Sequence, residues 1–133
     1  MGCQYTLHHF GPYSRDVADT CDEMVAAGLI DETGGPQNGS MQYAYKLKPQ
    51  ILESVNKTPE PQVQQFEQLG KELIGMDLWQ LELGSTILFF YRQIPDWDHA
   101  LVQACKFKDK PTNDAPSQSA LSLAMRFQPQ ARN

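Results

Sequence analysis

The chain has 133 residues, a formal net charge of −5 and a sequence pI near 5.0, and hydrophobic residues make up 41% of it. This composition is that of a globular domain and excludes a disordered chain, while the acidic balance argues against general binding to nucleic acid or to anionic membranes. The longest apolar run, TILFFY, is too short to cross a bilayer, and three widely spaced cysteines with no visible signal peptide favour a cytoplasmic protein.

An aromatic segment near the N-terminus is predicted to lead into a helix. Residues 5–10 (YTLHHF) predict a strand that Gly11-Pro12 ends. Ser14 is a suitable N-cap, and apolar residues then recur at helical spacing as far as Gly28. This pattern predicts an amphipathic helix over residues 15–27 with the glycine at its C-terminal end.

A β-hairpin is predicted directly after this helix. GLIDE indicates a short strand, and TGGPQNGS (33–40) is expected to be a turn-rich loop. In MQYAYKLK (41–48) apolar and polar residues alternate, as they do in a half-buried strand. The order of helix, strand, glycine-rich loop and strand predicts a winged-helix-like part with a small β-wing over residues 1–48.

The second part of the sequence, residues 49–133, is predicted to form a helical cluster. The helix over 78–93 is apolar nearly all the way round and should be the buried centre, and Asp96 can cap the next helix. Two flanking helices should bury apolar stripes, consisting of Val63, Phe66, Leu69, Leu73 and Ile74 in the first and of Leu121, Ala124 and Met125 in the last. We therefore predict a mainly α (α+β) fold and a single domain over residues 1–133.

Two blocks of the sequence carry a family resemblance. YTLHHFGPYSRDVADTCDEMVAAGLI resembles the N-terminal signature of the YwgA-like bacterial proteins, and LWQLELGSTILFFYRQIPDWDHALVQACKFKDK is similar to their C-terminal pattern. That family is distantly similar to the Panacea, or SocA-type, domains associated with antitoxins. The resemblance brings no catalytic residues with it. It implies one more helix before the aromatic strand, so this chain is expected to be a shortened form or to have that surface covered by another element, such as one from a second copy.

Catalytic and metal sites are not indicated by the pattern of histidines, serines and acids. His8 and His9 are adjacent, so on a strand one should pack inward and the other should be solvated. Ser14 is better explained as a helix cap than as a nucleophile, and acids near Trp97 are expected at a helix start. We therefore expect no enzymatic activity, no metal and no cofactor.

The charge of the predicted winged helix argues against its usual role in DNA binding. Between Ser14 and Glu32, six acids minus the one base, Arg15, give a local charge of −5 on the helix that should enter the groove. Basic residues that could contact phosphates are Lys46 and Lys48 on the wing strand, and Lys106, Lys108 and Lys110 in a late loop. The alternative function, a transcriptional regulator, would therefore bind DNA through Lys46 and Lys48.

Protein–protein interaction is the function that the sequence favours. We name Asp16, Asp19, Asp22 and Glu23 the acidic helix face, and predict that it meets a basic partner with Tyr13 as a neighbouring anchor. The other aromatic residues considered, Tyr5, Phe10, Tyr43 and Tyr45, could also supply anchors, but most of them are expected to pack in the core. The sequence thus predicts a non-enzymatic interaction module, antitoxin- or adaptor-like and homodimeric, in the bacterial cytoplasm.

Overall fold

The fold, as given by a computed structural model that describes residues 3–37, 40–57 and 61–128, is mainly helical α+β. The described part contains six helices and two antiparallel sheets of two strands each, so the predicted fold class is confirmed. None of these helices combines the length and the apolar character needed to cross a membrane. In chain order the elements are β1 (Thr6–His8), β2 (Gly11–Tyr13), α1 (Arg15–Ala26), β3 (Ile30–Gln37), β4 (Ser40–Leu47), α2 (Pro49–Lys57), α3 (Pro61–Ile74), α4 (Leu78–Gln93), α5 (Trp97–Lys108) and α6 (Ala115–Arg126).

The chain divides into two compact units. Residues 3–4 and 14–69 belong to the first unit, and residues 5–13 belong to the second together with the described residues from 70 onward. The division therefore falls within α3, whereas the sequence changes in character after residue 48. The single-domain organisation stays a prediction.

In the first unit, β3 and β4 form a long hairpin. They pair antiparallel from Ile30 opposite Leu47 to Gln37 opposite Ser40. The predicted loop over 33–40 is therefore wrong for residues 33–37 and 40, and residues 38 and 39 lie outside the described residues. Gly34, Gly35 and Pro36 have the composition of a turn, but the ladder with β4 keeps them in the strand.

The first unit has a very small core. Among its described side chains only Ile30 and Ser14 are buried, and neither α1 nor α2 contains a buried residue. Leu52 and Val55 on α2 remain exposed. Apolar side chains in this unit thus stay largely in contact with solvent.

The second unit is built around α4, which packs against α5, α6 and the β2 strand. Leu83, Gly84, Thr86 and Ile87 are buried on α4, which confirms the predicted central helix. A Cβ atom on Gly84 would lie 3.4 Å from the carbonyl oxygen of Ala120, so this glycine lets α4 and α6 approach closely. Asp96 caps α5 as predicted, because its Oδ1 accepts a hydrogen bond from the backbone N–H of His99 at 3.0 Å.

The N-terminal strands form a hairpin within this second unit. Gly11-Pro12 does not end the β-structure, since Gly11 begins β2, opposite His8. Gly11 has φ +119°, a conformation that other residues rarely adopt. This freedom explains why the Gly-Pro pair, which usually ends a strand, lies at the start of β2. The Lys108 ammonium on α5 donates a hydrogen bond to the His9 carbonyl in the hairpin turn.

Three side chains predicted for the core are exposed instead. Phe66 is 69% exposed and Ile74 is 87% exposed on α3, and Met125 on α6 is also exposed. Helical spacing shows which residues share a face, but it does not show whether another element covers that face.

Candidate interaction surface

The helix α1 ends in a glycine-dependent turn that confirms the predicted role of Gly28. The N–H of Leu29 donates to the carbonyl of Met24 at 3.0 Å, and the N–H of Gly28 donates to the carbonyl of Val25 at 3.0 Å. Gly28 has φ +72°, as this helix-ending motif requires. The turn fixes where the acidic helix stops and β3 begins.

The acidic helix face is open to solvent along α1. Asp16, Asp19, Asp22 and Glu23 are all exposed, and their spacing of three and four residues places neighbouring carboxylates on adjacent turns. Arg15, the one basic residue of α1, lies 3.9 Å from Asp19 in an exposed pair. Exposed pairs of this kind are worth little, so most of the negative charge of the face remains uncompensated.

In the same unit, the β4 strand presents an exposed apolar surface that we name the aromatic strand face, consisting of Tyr43, Tyr45 and Leu47. These alternate residues share one side of the strand, and Tyr43 and Tyr45 are 52% and 47% exposed. The expected core packing of the two tyrosines is therefore wrong, because a two-stranded sheet with α1 as a neighbour leaves much of this side uncovered. Tyr5 and Phe10, expected in the core as well, are also exposed.

The Tyr45 hydroxyl lies in a negatively charged environment. A hydrogen bond to the Glu32 carboxylate, with desolvation and the nearby Glu32, Cys21 and Asp22 charges, raises the pKa of Tyr45 to about 12. Asp22 belongs to the acidic helix face, and the acidic and aromatic surfaces both belong to the first unit. Together they form the candidate interaction surface.

The two wing lysines predicted as nucleic-acid contacts lie among acids. Lys46 stands opposite Asp31 in the hairpin register, and the Lys48 Nζ lies 3.8 Å from Asp31 Oδ1. The lysines expected in a late loop are placed differently, since Lys106 and Lys108 belong to α5 and the Lys108 side chain is only 10% exposed. Lys108 pairs with Glu82 and adds little to a basic patch.

Tyr13 and the two histidines lie in the second unit. Tyr13 is exposed and stacks on the His8 ring with 4.7 Å between ring centroids. His8 and His9 are both exposed, so the expectation that one packs inward is wrong; β1 ends at His8, and His9 lies in the turn. The acidic helix face belongs to the first unit, so Tyr13 is not part of the same compact unit.

Ser14 occupies the N-cap position of α1 but does not cap the helix with its side chain. Its backbone is extended, with φ −123° and ψ 122°, yet the hydroxyl makes no capping hydrogen bond. Within the described ranges Ser14 Oγ is buried without any hydrogen-bond partner. A buried hydroxyl without a partner carries an uncompensated desolvation cost.

Ser14→Ala is expected to leave the free energy of unfolding unchanged or to raise it by up to about 1 kcal/mol, because it removes that cost. If the Ser14 side chain capped the helix, the same substitution would instead lower the free energy of unfolding by about 0.5–2 kcal/mol. Urea denaturation of the two proteins measures the difference. A lower midpoint for the variant would contradict this account of the Ser14 hydroxyl.

The histidine, cysteine and acidic side chains of the structure are spread over both units. In the ranges that the structure describes, no three histidine, cysteine or acidic side chains come together in a way that could hold a metal ion. Cys3 is exposed, Cys21 half-buried and Cys105 buried, and all three are free thiols.

Neither a family model, nor a curated protein, nor a solved structure matches this chain.

Proposed function

We propose that this chain is a non-enzymatic protein-interaction module that binds a basic segment of a partner protein through its first unit. The observation that carries the proposal is the joint exposure of the acidic helix face and the aromatic strand face, in a unit with very little core of its own. Aromatic side chains are enriched in interfaces, where they supply large contact areas. Acids beside them favour a partner rich in lysine or arginine.

Charge supports a protein partner over the DNA-binding alternative. Neighbouring carboxylates would repel duplex phosphates and cancel the gain from counterion release. Lys48 already pairs with Asp31, and Lys46 stands opposite the same residue. The wing lysines thus lie beside an acid, and this negative surrounding disfavours the approach of a phosphate backbone.

Self-association belongs to the same proposal. The exposed apolar residues of the first unit, among them Leu52 and Val55 on α2, favour burial against another chain. This exposure supports a homodimer, and the family resemblance supports an antitoxin- or adaptor-like role in the bacterial cytoplasm. Light scattering at micromolar concentration tests the dimer, and a monomer would contradict it.

Neutralising the acidic helix face is expected to weaken partner binding by about tenfold or more at low salt, because the attraction to a basic segment is lost. The variant carries Asp16→Asn, Asp19→Asn, Asp22→Asn and Glu23→Gln. Affinity capture from the native host, followed by mass spectrometry, identifies the partner. Calorimetry with its lysine-rich peptide then gives the affinity for both proteins.

A matched control removes four exposed acids elsewhere while leaving the candidate surface intact. It carries Glu53→Gln, Asp77→Asn, Asp98→Asn and Asp109→Asn. The proposal requires the control to bind like the unmodified chain. Equal losses in both variants, or a captured segment without basic residues, would contradict it. Salt-dependent binding to random duplex DNA that Lys46→Glu with Lys48→Glu abolishes would support the regulator instead.

A further inference from the structure

The second unit contains a cavity of about 320 Å³ between the first turns of α4, the end of α5 and the start of α6. Trp79, Leu83 and Pro116 supply its apolar lining. Its volume lies at the small end of the roughly 300–1,000 Å³ typical of small-molecule sites. Gln80 Nε2 donates to Ser119 Oγ at 2.9 Å and links α4 to α6. The cavity is therefore suited to one small ring system.

Both carboxylates that line the cavity already have partners. Glu82 Oε2 lies 3.5 Å from the Nζ of Lys108, whose side chain is only 10% exposed. Asp114 Oδ1 accepts the backbone N–H of Ser117 at 2.9 Å and so caps α6. Hydrogen bonds from Ser117, with the nearby Lys110 charge, hold the pKa of Asp114 below its usual value. These acids are consequently occupied by structural contacts.

Lys110 is the charged lining residue whose ammonium forms no hydrogen bond or ion pair among the described residues, so it can bind a ligand. It follows Asp109, which ends α5 in the left-handed conformation with φ 53°, and its own N–H donates to the Cys105 carbonyl at 2.8 Å. That turn fixes the Lys110 backbone beside the cavity. Within the described residues its ammonium forms no ion pair, although it lies near enough to Asp114 to influence that carboxyl.

We propose that this cavity binds a small planar aromatic monocarboxylate, with the carboxylate on Lys110 and the ring against the Trp79 indole. Trp79 is 43% exposed, so its ring is accessible to a ligand, and Leu83 and Pro116 extend the apolar wall. Among the described lining residues, Lys110 is the cation without an ion pair, and it matches one negative charge on the ligand. A nucleotide or a polyphosphate would bring more charge than this site can neutralise.

Indole-3-carboxylate is a suitable probe, added to the full-length ¹⁵N-labelled chain in an NMR titration. We expect saturable shifts of the Trp79 indole N–H and the Lys110 amide. The Trp97 indole is an internal reference, because it stacks on Tyr91 outside the cavity lining. Indole-3-carboxamide, which keeps the ring but lacks the charge, should bind at least about tenfold more weakly, since a charge-assisted hydrogen bond is lost.

Lys110→Gln should weaken indole-3-carboxylate binding by about tenfold, and Lys106→Gln should leave it unchanged. Both lysines are exposed and close in sequence, so the pair separates the role of Lys110 from general charge. Absence of saturable shifts, equal binding of the carboxamide, or equal effects of the two variants would overturn the proposal. Tighter binding of inorganic phosphate than of indole-3-carboxylate would overturn the aromatic class.

Discussion

Replacing Ile87 with alanine is expected to lower the free energy of unfolding by about 2–5 kcal/mol, which is the range for a large aliphatic side chain in a core. Ile87 is completely buried on α4, within the cluster that joins this helix to α5 and α6. Truncation removes apolar contacts and leaves a cavity that closely packed helices cannot fill. Urea denaturation followed by circular dichroism measures the loss.

Ile74→Ala is the matched control for this change. The same type of side chain is 87% exposed on α3, so its truncation should alter the free energy of unfolding by less than about 0.5 kcal/mol. A loss at Ile87 no larger than that at Ile74 would mean that α4 is not the centre of the second unit.

Lys108→Met is expected to destabilise the chain by about 1–3 kcal/mol, because it leaves two polar groups without their donor. The Lys108 ammonium donates to the His9 carbonyl in the β1–β2 turn and pairs with the Glu82 carboxylate. Glu82 is 27% exposed at its side chain, so water compensates part of the loss and the effect stays below that of a fully buried pair. Urea denaturation measures this loss as well.

Two further variants identify the cause of the Lys108 effect. Lys106→Met changes an exposed lysine on the same helix and should be close to neutral. Adding Glu82→Gln to Lys108→Met removes the carboxylate that lost its cation. The free energy of unfolding of the double variant should therefore fall by less than the sum of the decreases in the two single variants. Additive losses would show that Lys108 and Glu82 act independently.

Local signals in the sequence were sufficient to locate much of the fold. The cap at Asp96, the helix end at Gly28 and the strand predicted over 41–48 each depend on residues close in sequence, and the structure contains all three elements. The half-burial predicted for that strand is wrong, because its side chains from Tyr43 to Leu47 are exposed. The exposure of the acidic helix face could be predicted in the same way, because carboxylates on an amphipathic helix remain in water.

Contacts between residues distant in sequence could not be predicted. The pairing of Lys48 with Asp31 depends on the hairpin register. That register could not be predicted, because the composition of residues 33–40 indicates a loop rather than paired strands. The exposure of Tyr43 and Tyr45 depends on how much of the sheet another element covers. The cavity beside Trp79 arises where three helices meet, and no spacing within one helix indicates it.

The assignment of residues 5–13 to the second unit bears on how the protein folds during synthesis. The hydrogen bond from Lys108 to His9 joins groups separated by 99 positions, and residues 14–69 of the first unit lie between β2 and α4 in the chain. The β1–β2 hairpin therefore leaves the ribosome long before the helix against which it packs. Because such long-range closure is entropically costly and slow, we expect docking of this hairpin to be a late step in folding.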